Sequence, residues 1–128
     1  MAEIILYEGE AFTVEWYYSP KGKSQPFEFY QELDKERRIQ FLKLVKHIGD
    51  IGQIRNKTKF RNEGDKVFAF KPKPDRFLCF FSVGKKIIIT NAFTKKTDKL
   101  PKTEKDRALR HMKDYLDRVK KDIYYEQE

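Results

Sequence analysis

Apolar and polar residues alternate over residues 3–18. Ile4, Leu6, Phe12, Val14, Trp16 and Tyr18 share one parity among mostly polar neighbours. A period of two is that of a half-buried strand, and Gly9 is placed to divide the stretch into a hairpin. Ser19-Pro20-Lys21-Gly22 closes it as a loop. The period then lengthens. Pro26 suits the first turn of a helix, where a missing N–H costs nothing, and a short helix runs through Phe27, Tyr30 and Leu33. Asp34 is a natural cap for a second helix. Its stripe is Ile39, Leu42, Val45 and Ile48, widened by Phe41 and Leu44, with Gly49 as its stop. Two helices joined so tightly predict a helical hairpin.

Residues 51–66 read as a loop with Gly52, Gly64 and a basic run. Three strands follow. Val67–Lys71 ends at Pro72 and Pro74. Arg76–Val83 turns through Gly84-Lys85, with Gly at positive φ. Lys86–Thr94 completes the set. Leu78 and Phe80 are apolar on one face, Phe77, Cys79 and Phe81 on the other, so these strands are central and covered on both sides. A last helix begins at Thr103, with Asp106 as reciprocal cap and Pro101 just outside. Ala108, Met112, Tyr115, Val119 and Ile123 form its stripe, and the tail from Tyr124 to Glu128 is expected to fray. The order β(β)-α-α-β-β-β-α predicts an α+β fold over residues 1–128 as a single domain. It is a small, mainly antiparallel, curved sheet with an N-terminal helical hairpin and a C-terminal helix.

Composition adds a polarity to this picture. The net charge is +8, but residues 1–50 hold 7 Lys/Arg against 9 Asp/Glu, whereas residues 51–128 hold 21 against 11. A domain polarised in this way carries a positive potential over one region, suited to nucleic acid, anionic lipid or an acidic protein. An aromatic share of 15% argues against disorder. The lone Cys79 excludes an intrachain disulfide and reads as a small core residue in a reducing compartment. No basic segment followed by an apolar stretch opens the chain, and no apolar run nears the roughly 18 residues of a membrane span. The expected location is the cytoplasm, with no membrane partner.

Metal chemistry finds little support. His47 and His111 stand alone on predicted helices, without cysteine or carboxylate at ligand spacing, so no metal and no cofactor are expected. No Gly-rich loop opens a helix. What remains is basic. Lys57, Lys59 and Arg61 lie on the loop; Lys71, Lys73 and Arg76 flank the Pro-containing turn; Lys95, Lys96 and Lys99 follow the last strand. Antiparallel neighbours bring the start of one strand to the end of the next, so Lys71, Arg76 and Lys95 can share a patch. Such a density of cations suits a phosphodiester backbone. It also suits cleavage by the 2′-hydroxyl, which needs a base, a charge stabiliser and an acid. Arginine is the natural stabiliser, and a crowded lysine can serve as base. From spacing alone, the same residues also read as solvated charges at strand ends.

One stretch is more specific. Phe93-Thr94-Lys95-Lys96-Thr97-Asp98-Lys99-Leu100-Pro101, followed by Glu104 and Ala108, resembles a motif of the RelE/HigB superfamily of toxin–antitoxin toxins, in its phage-derived, HigB-like branch. Val67–Lys71 and Arg76–Phe81 are similar to two strands of that family, and the resemblance spans roughly residues 10–120. It implies a RelE-like fold and metal-independent, ribosome-dependent cleavage of translated mRNA that arrests growth. The implied partners are mRNA on the ribosome and a cognate antitoxin, often a helix-turn-helix protein. The implied catalytic cations are Arg76 as phosphate stabiliser with Lys71, Lys95 and Lys96. Lys57, Lys59 and Arg61 would contact RNA or ribosome, and the RNA-binding set extends to Lys73 and Lys99. Position 71 is Lys where many relatives carry Arg, a point charge in place of a bidentate fork. Nothing aligns Tyr124 or Tyr125 with the Tyr or His that several relatives use as acid or base. A non-catalytic RNA- or ribosome-binding module on the same fold, and a protein whose basic face meets an acidic partner, are the competing readings.

Overall fold

The computed structural model describes residues 4–125, so position 3 of the first stretch and positions 126–128 of the tail lie outside the described residues. Strands β1 (Ile5–Glu8) and β2 (Thr13–Trp16) form the expected antiparallel pair. Close approach explains the glycine between them. A Cβ on Gly9 would sit 2.2 Å from the carbonyl oxygen of Gly49, and that oxygen accepts the N–H groups of Ala11 and Phe12 at 2.7 and 2.9 Å.

Helix α1 (Gln25–Glu32) starts at Ser24, whose hydroxyl accepts the Phe27 N–H, and carries Pro26 in its first turn. Helix α2 (Lys35–Ile51) starts at Asp34, whose carboxylate accepts the Arg37 N–H at 2.9 Å. It stops at Gly52, not Gly49: Gly52 has φ 92° and returns its N–H to Ile48. Gly49 is instead the point inside the helix where Tyr7 and Gly9 approach. The buried stripe is also rotated from the expected one. Phe41, Val45 and Ile48 are buried, while Ile39 is 38% exposed and Leu42 is only partly covered. The Phe41 ring stacks on Phe77 at 3.8 Å and packs on Trp16, and this aromatic contact sets the rotation.

Part of the expected loop 51–66 is a strand, β3 (Phe60–Asn62), paired with β4 (Phe68–Phe70). Its one buried anchor, Phe60, packs against Phe68 and Phe70, too short a pattern to stand out within a basic run. Strand β5 (Asp75–Ser82) turns into β6 (Lys86–Thr94) through Gly84 and Lys85, both at positive φ, as a tight primed turn requires. The sheet order is β1-β2-β6-β5-β4-β3. It is mixed, because β2 runs parallel to β6 while the other neighbours are antiparallel. The fold is α+β as expected, with helix α3 (Lys102–Lys120) last. The helical pair is not N-terminal, since β1 and β2 precede it and cover the flank of β6.

Helices α1 and α2 lie over one face, where Trp16, Phe41, Phe77 and Ile89 form the main core. Helix α3 lies over the other, where Tyr115 meets Phe80 and Ile88, and Ala108 meets Val67 and Leu78. This explains the two-faced apolarity of β5 and β6, and Cys79 is buried within the core. The Thr103–Asp106 cap does not form. The helix starts one residue earlier, with Pro101 as its cap residue and no side-chain capping bond, and Asp106 accepts a hydrogen bond from Lys102 at 3.1 Å. Ile123 lies past the helix end and is exposed. The start of the tail is held down, contrary to expectation. The buried Tyr124 hydroxyl accepts the Tyr18 N–H at 2.9 Å, and the Tyr125 hydroxyl donates to buried Glu15 at 2.7 Å. Among the described residues no helix is long and apolar enough to cross a membrane.

Candidate functional site

Strand parity places the cations. Val67, just before β4, and Ala69 within it face α3, and Lys71 is the next residue of that parity. On β5, Leu78 and Phe80 face α3, and Arg76 shares their parity. Ala69 pairs with Leu78 and Phe70 with Phe77, so the register carries Lys71 to the row of Arg76. Phe93 is the partner of Arg76 on β6.

A bulge decides which lysine completes the row. Leu78 pairs with Asn91 but Cys79 pairs with Ile89, leaving Thr90 as an extra residue. Before the bulge Ile88 faces α3; beyond it Phe93 does, while Ala92 packs in the core under α1 and α2. Unbroken alternation from Ile88 would have sent Lys96 to the Arg76 face. The bulge sends Lys95 instead, and the Lys95 N–H extends the pairing to the Pro74 carbonyl at 2.9 Å. Asn91, turned by the bulge, donates to the carbonyl and the carboxylate of Glu104 at 3.1 and 2.9 Å. The first turn of α3 is thereby pinned beside the row.

The resulting cleft is lined by Lys71, Arg76, Lys95 and Lys99 together with Glu63 and Asp98. Phe93, Leu100 and Pro101 supply its apolar wall. Arg76 is only 8% exposed, and its Nη1 donates to the Asp75 carbonyl at 2.9 Å. Burial pulls its pKa down, opposed by Glu63 and Asp98, but a guanidinium stays charged in proteins. Burial likewise pulls the Lys71 ammonium down, and the charges of Arg76, Arg61 and Lys95 add to this, with Glu63 opposing. Its Nζ donates to the Lys57 carbonyl at 3.4 Å. Lys95 donates to Asp98 at 2.7 Å, and this bond holds Asp98 below the usual carboxylate range, helped by Arg76 and Lys71.

The opposite face supports the row from below. Asp75 is fully buried, and Arg37 of α2 reaches it with both Nε, at 3.0 Å, and Nη2. The strand that presents Arg76 is therefore tied to a helix at its first residue.

Of the residues expected from sequence, Lys71, Arg76, Lys95 and Lys99 come together in the cleft. Lys96 does not; it lines a separate shallow site with Thr94, Thr103 and Glu104. Lys73 is exposed in the turn between β4 and β5. Lys59 is exposed, and its carbonyl accepts the Lys71 N–H at 2.8 Å. Lys57 and Arg61 line a different groove, although Arg61 still acts on the charge of Lys71. Sequence reading overlooked Glu63 and Asp98, the acidic members of the cleft. Asp98 stands inside the Phe93–Pro101 motif three residues after Lys95, which was the available signal; Glu63 had none. Among the described residues no three His, Cys, Asp or Glu side chains gather as metal ligands would. His111 hydrogen-bonds the Thr90 carbonyl at 2.9 Å through Nδ1 and stacks on Tyr17, between α3 and the sheet.

No curated protein matches the chain. The family model described as phage derived protein Gp49-like (DUF891) matches residues 28–113, a span that runs from α1 into α3 and includes every residue of the cation row. The chain therefore belongs to the phage-derived Gp49-like family, a family associated with RelE/HigB-like toxins.

Proposed function

We propose that the protein is the toxin of a toxin–antitoxin pair and a metal-independent endoribonuclease that cuts translated mRNA on the ribosome. The observation that carries this reading is the buried Arg76 between Lys71 and Lys95. A planar, permanently charged guanidinium held on a rigid strand is suited to the non-bridging oxygens of a phosphodiester. Lys71, with its pKa drawn down, is the base for the 2′-hydroxyl. The 2′-oxygen gives its proton to Lys71 and forms a bond to the adjacent phosphorus, the bond to the 5′-oxygen breaks, and that leaving oxygen takes up a proton from solvent water. Lys95, in its hydrogen bond with Asp98, adds positive charge beside the phosphate. The family resemblance supports the ribosome as the place of cleavage, mRNA as substrate, an antitoxin as partner and the cytoplasm as location.

Expression of the chain alone is expected to arrest growth, and Arg76→Ala to relieve the arrest. Toeprinting of a translated message is expected to show breaks in the ribosomal A site. Soluble wild-type protein that neither slows growth nor cuts the message would overturn the proposal. Salt-dependent ribosome or RNA binding without breaks would establish the non-catalytic module in its place.

A further inference from the structure

A second groove, of about 720 Å³, lies between the end of α2, the segment entering β3, and the ends of β4 and β5 remote from Arg76. Its floor is apolar, built from Ile54, Phe60, Phe68 and Phe81. Phe81 shares the parity of Phe77 and Cys79, so the floor belongs to the α2 side of the sheet, opposite Arg76. Arg76 and Phe81 stand five positions apart on β5, about 17 Å at the rise of a strand. The phenylalanine floor and Arg76 thus lie on opposite faces of the sheet, and the two regions adjoin at Lys57, whose carbonyl accepts the Lys71 ammonium.

Three features describe what the groove would accept. Its rim carries Arg55 and Lys57, neither in an ion pair among the described residues, and none of the described residues that line it is Asp or Glu; Arg61, paired with Ala69, turns to the α3 face, where it acts on Lys71. Large apolar side chains continue beyond it. Phe81 is 37% exposed; Val83, two residues on and of the same parity, is 84% exposed; Ile51, beside the lining Gly52, is 64% exposed. Finally, β3 ends the sheet order, so its outer side has no strand partner.

We propose that this groove docks an acidic, amphipathic segment of a partner protein, with its apolar side chains on the phenylalanine floor and its carboxylates on the Arg55–Lys57 rim. RNA fits less well. Phe60 and Phe68 stack on each other at 10°, and Phe81 meets them at 87° and 82°, so the three rings pack on one another and leave no open parallel slot between them for a base. A phosphate backbone also has no use for the exposed Val83 and Ile51. A second copy of the chain is disfavoured by its net charge of +8. The proposal does not rest on RNA cleavage, and the floor faces away from Arg76.

The test is selection of a displayed library of random 16-residue peptides against the full chain. Enriched peptides are expected to repeat apolar residues every three to four positions, with an excess of Asp and Glu. Their affinity is expected to fall at least tenfold in the exposed-loop double variant Arg55→Glu/Lys57→Glu and in Phe81→Asp, and to stay within twofold in Arg76→Ala. The loop variant leaves the core intact, so it decides the outcome if Phe81→Asp fails to fold. Absence of enrichment, enrichment of basic or non-periodic peptides, or equal binding to the loop variant would each overturn the proposal. So would a single-stranded oligouridylate that protects the groove from chemical labelling, or a dimer that is lost in Phe81→Asp.

Discussion

Removing Arg37 probes how the site is held from beneath. The Asp75 carboxylate is fully buried, and two nitrogens of Arg37 bond its two oxygens. Removing one partner of a buried ion pair costs about 3–5 kcal/mol, because the other charge is left stranded, whereas a fully exposed pair is worth about 0–1 kcal/mol. Arg37 lies between these limits. Its side chain is 34% exposed, so water can enter the space it vacates, and the Thr94 hydroxyl remains 3.4 Å from Oδ1. Arg37→Ala should therefore cost about 2 kcal/mol. With a urea slope of about 2 kcal/mol/M, the unfolding midpoint falls by about 1 M. Asp75→Asn keeps the volume and leaves Arg37 free to turn into water, at a cost of about 1 kcal/mol. The double variant should then be less destabilised than the sum of the two singles. A midpoint within about 0.2 M of wild type for Arg37→Ala, or single effects that simply add, would refute the claim that this pair anchors β5. Because the Asp75 carbonyl receives the Arg76 guanidinium, Arg37→Ala is also expected to weaken growth arrest at temperatures where the variant is still folded.

Other outcomes test separate features. Gly9→Ala places a Cβ 2.2 Å from the Gly49 carbonyl, which forces β1 and α2 apart and should cost about 2 kcal/mol or more in urea unfolding. Gly22→Ala, at φ 76° but in open space, should cost only about 1 kcal/mol. Tyr125→Phe leaves the buried Glu15 without its hydroxyl donor and should cost about 1–3 kcal/mol by thermal melting; an unchanged melt would mean that the tail is not held there. Lys71 must lose its proton to act as base, and its lowered pKa puts that loss below the ordinary lysine value of 10.5. Single-turnover cleavage on ribosomes should therefore rise with pH below that value. Lys71→Arg, which stays charged, should remove the rise, and an identical pH limb in the variant would exclude Lys71 as the base.

How legible the site was can be judged residue by residue. Lys71 and Arg76 were correctly placed together from strand order alone, because consecutive antiparallel strands leave little freedom in register. Lys95 and Lys96 could not be told apart from sequence, since only the bulge at Thr90 decides which one faces Arg76. Glu63 was invisible for a different reason. The strand that delivers it, β3, is three residues long and is anchored by Phe60 alone.

The elements that carry a repeated local signal were legible in the amino-acid sequence: the first strand pair, helix α1 with Pro26 in its first turn, helix α2 with its Asp34 cap, the two-faced central strands and the stripe of α3 as far as Val119. Hydrophobic period and capping chemistry act within a few residues, so they can be read in place. Tertiary structure decided the phase and the partners. It rotated α2 so that Phe41 meets Phe77, moved that helix's stop to Gly52, set β2 parallel to β6, and drew Tyr124 and Tyr125 onto the sheet. Each of these depends on an atom that arrives from a distant part of the chain. That is why a row of cations legible as charge in the sequence became, only in the folded chain, a buried arginine with a particular lysine on either side.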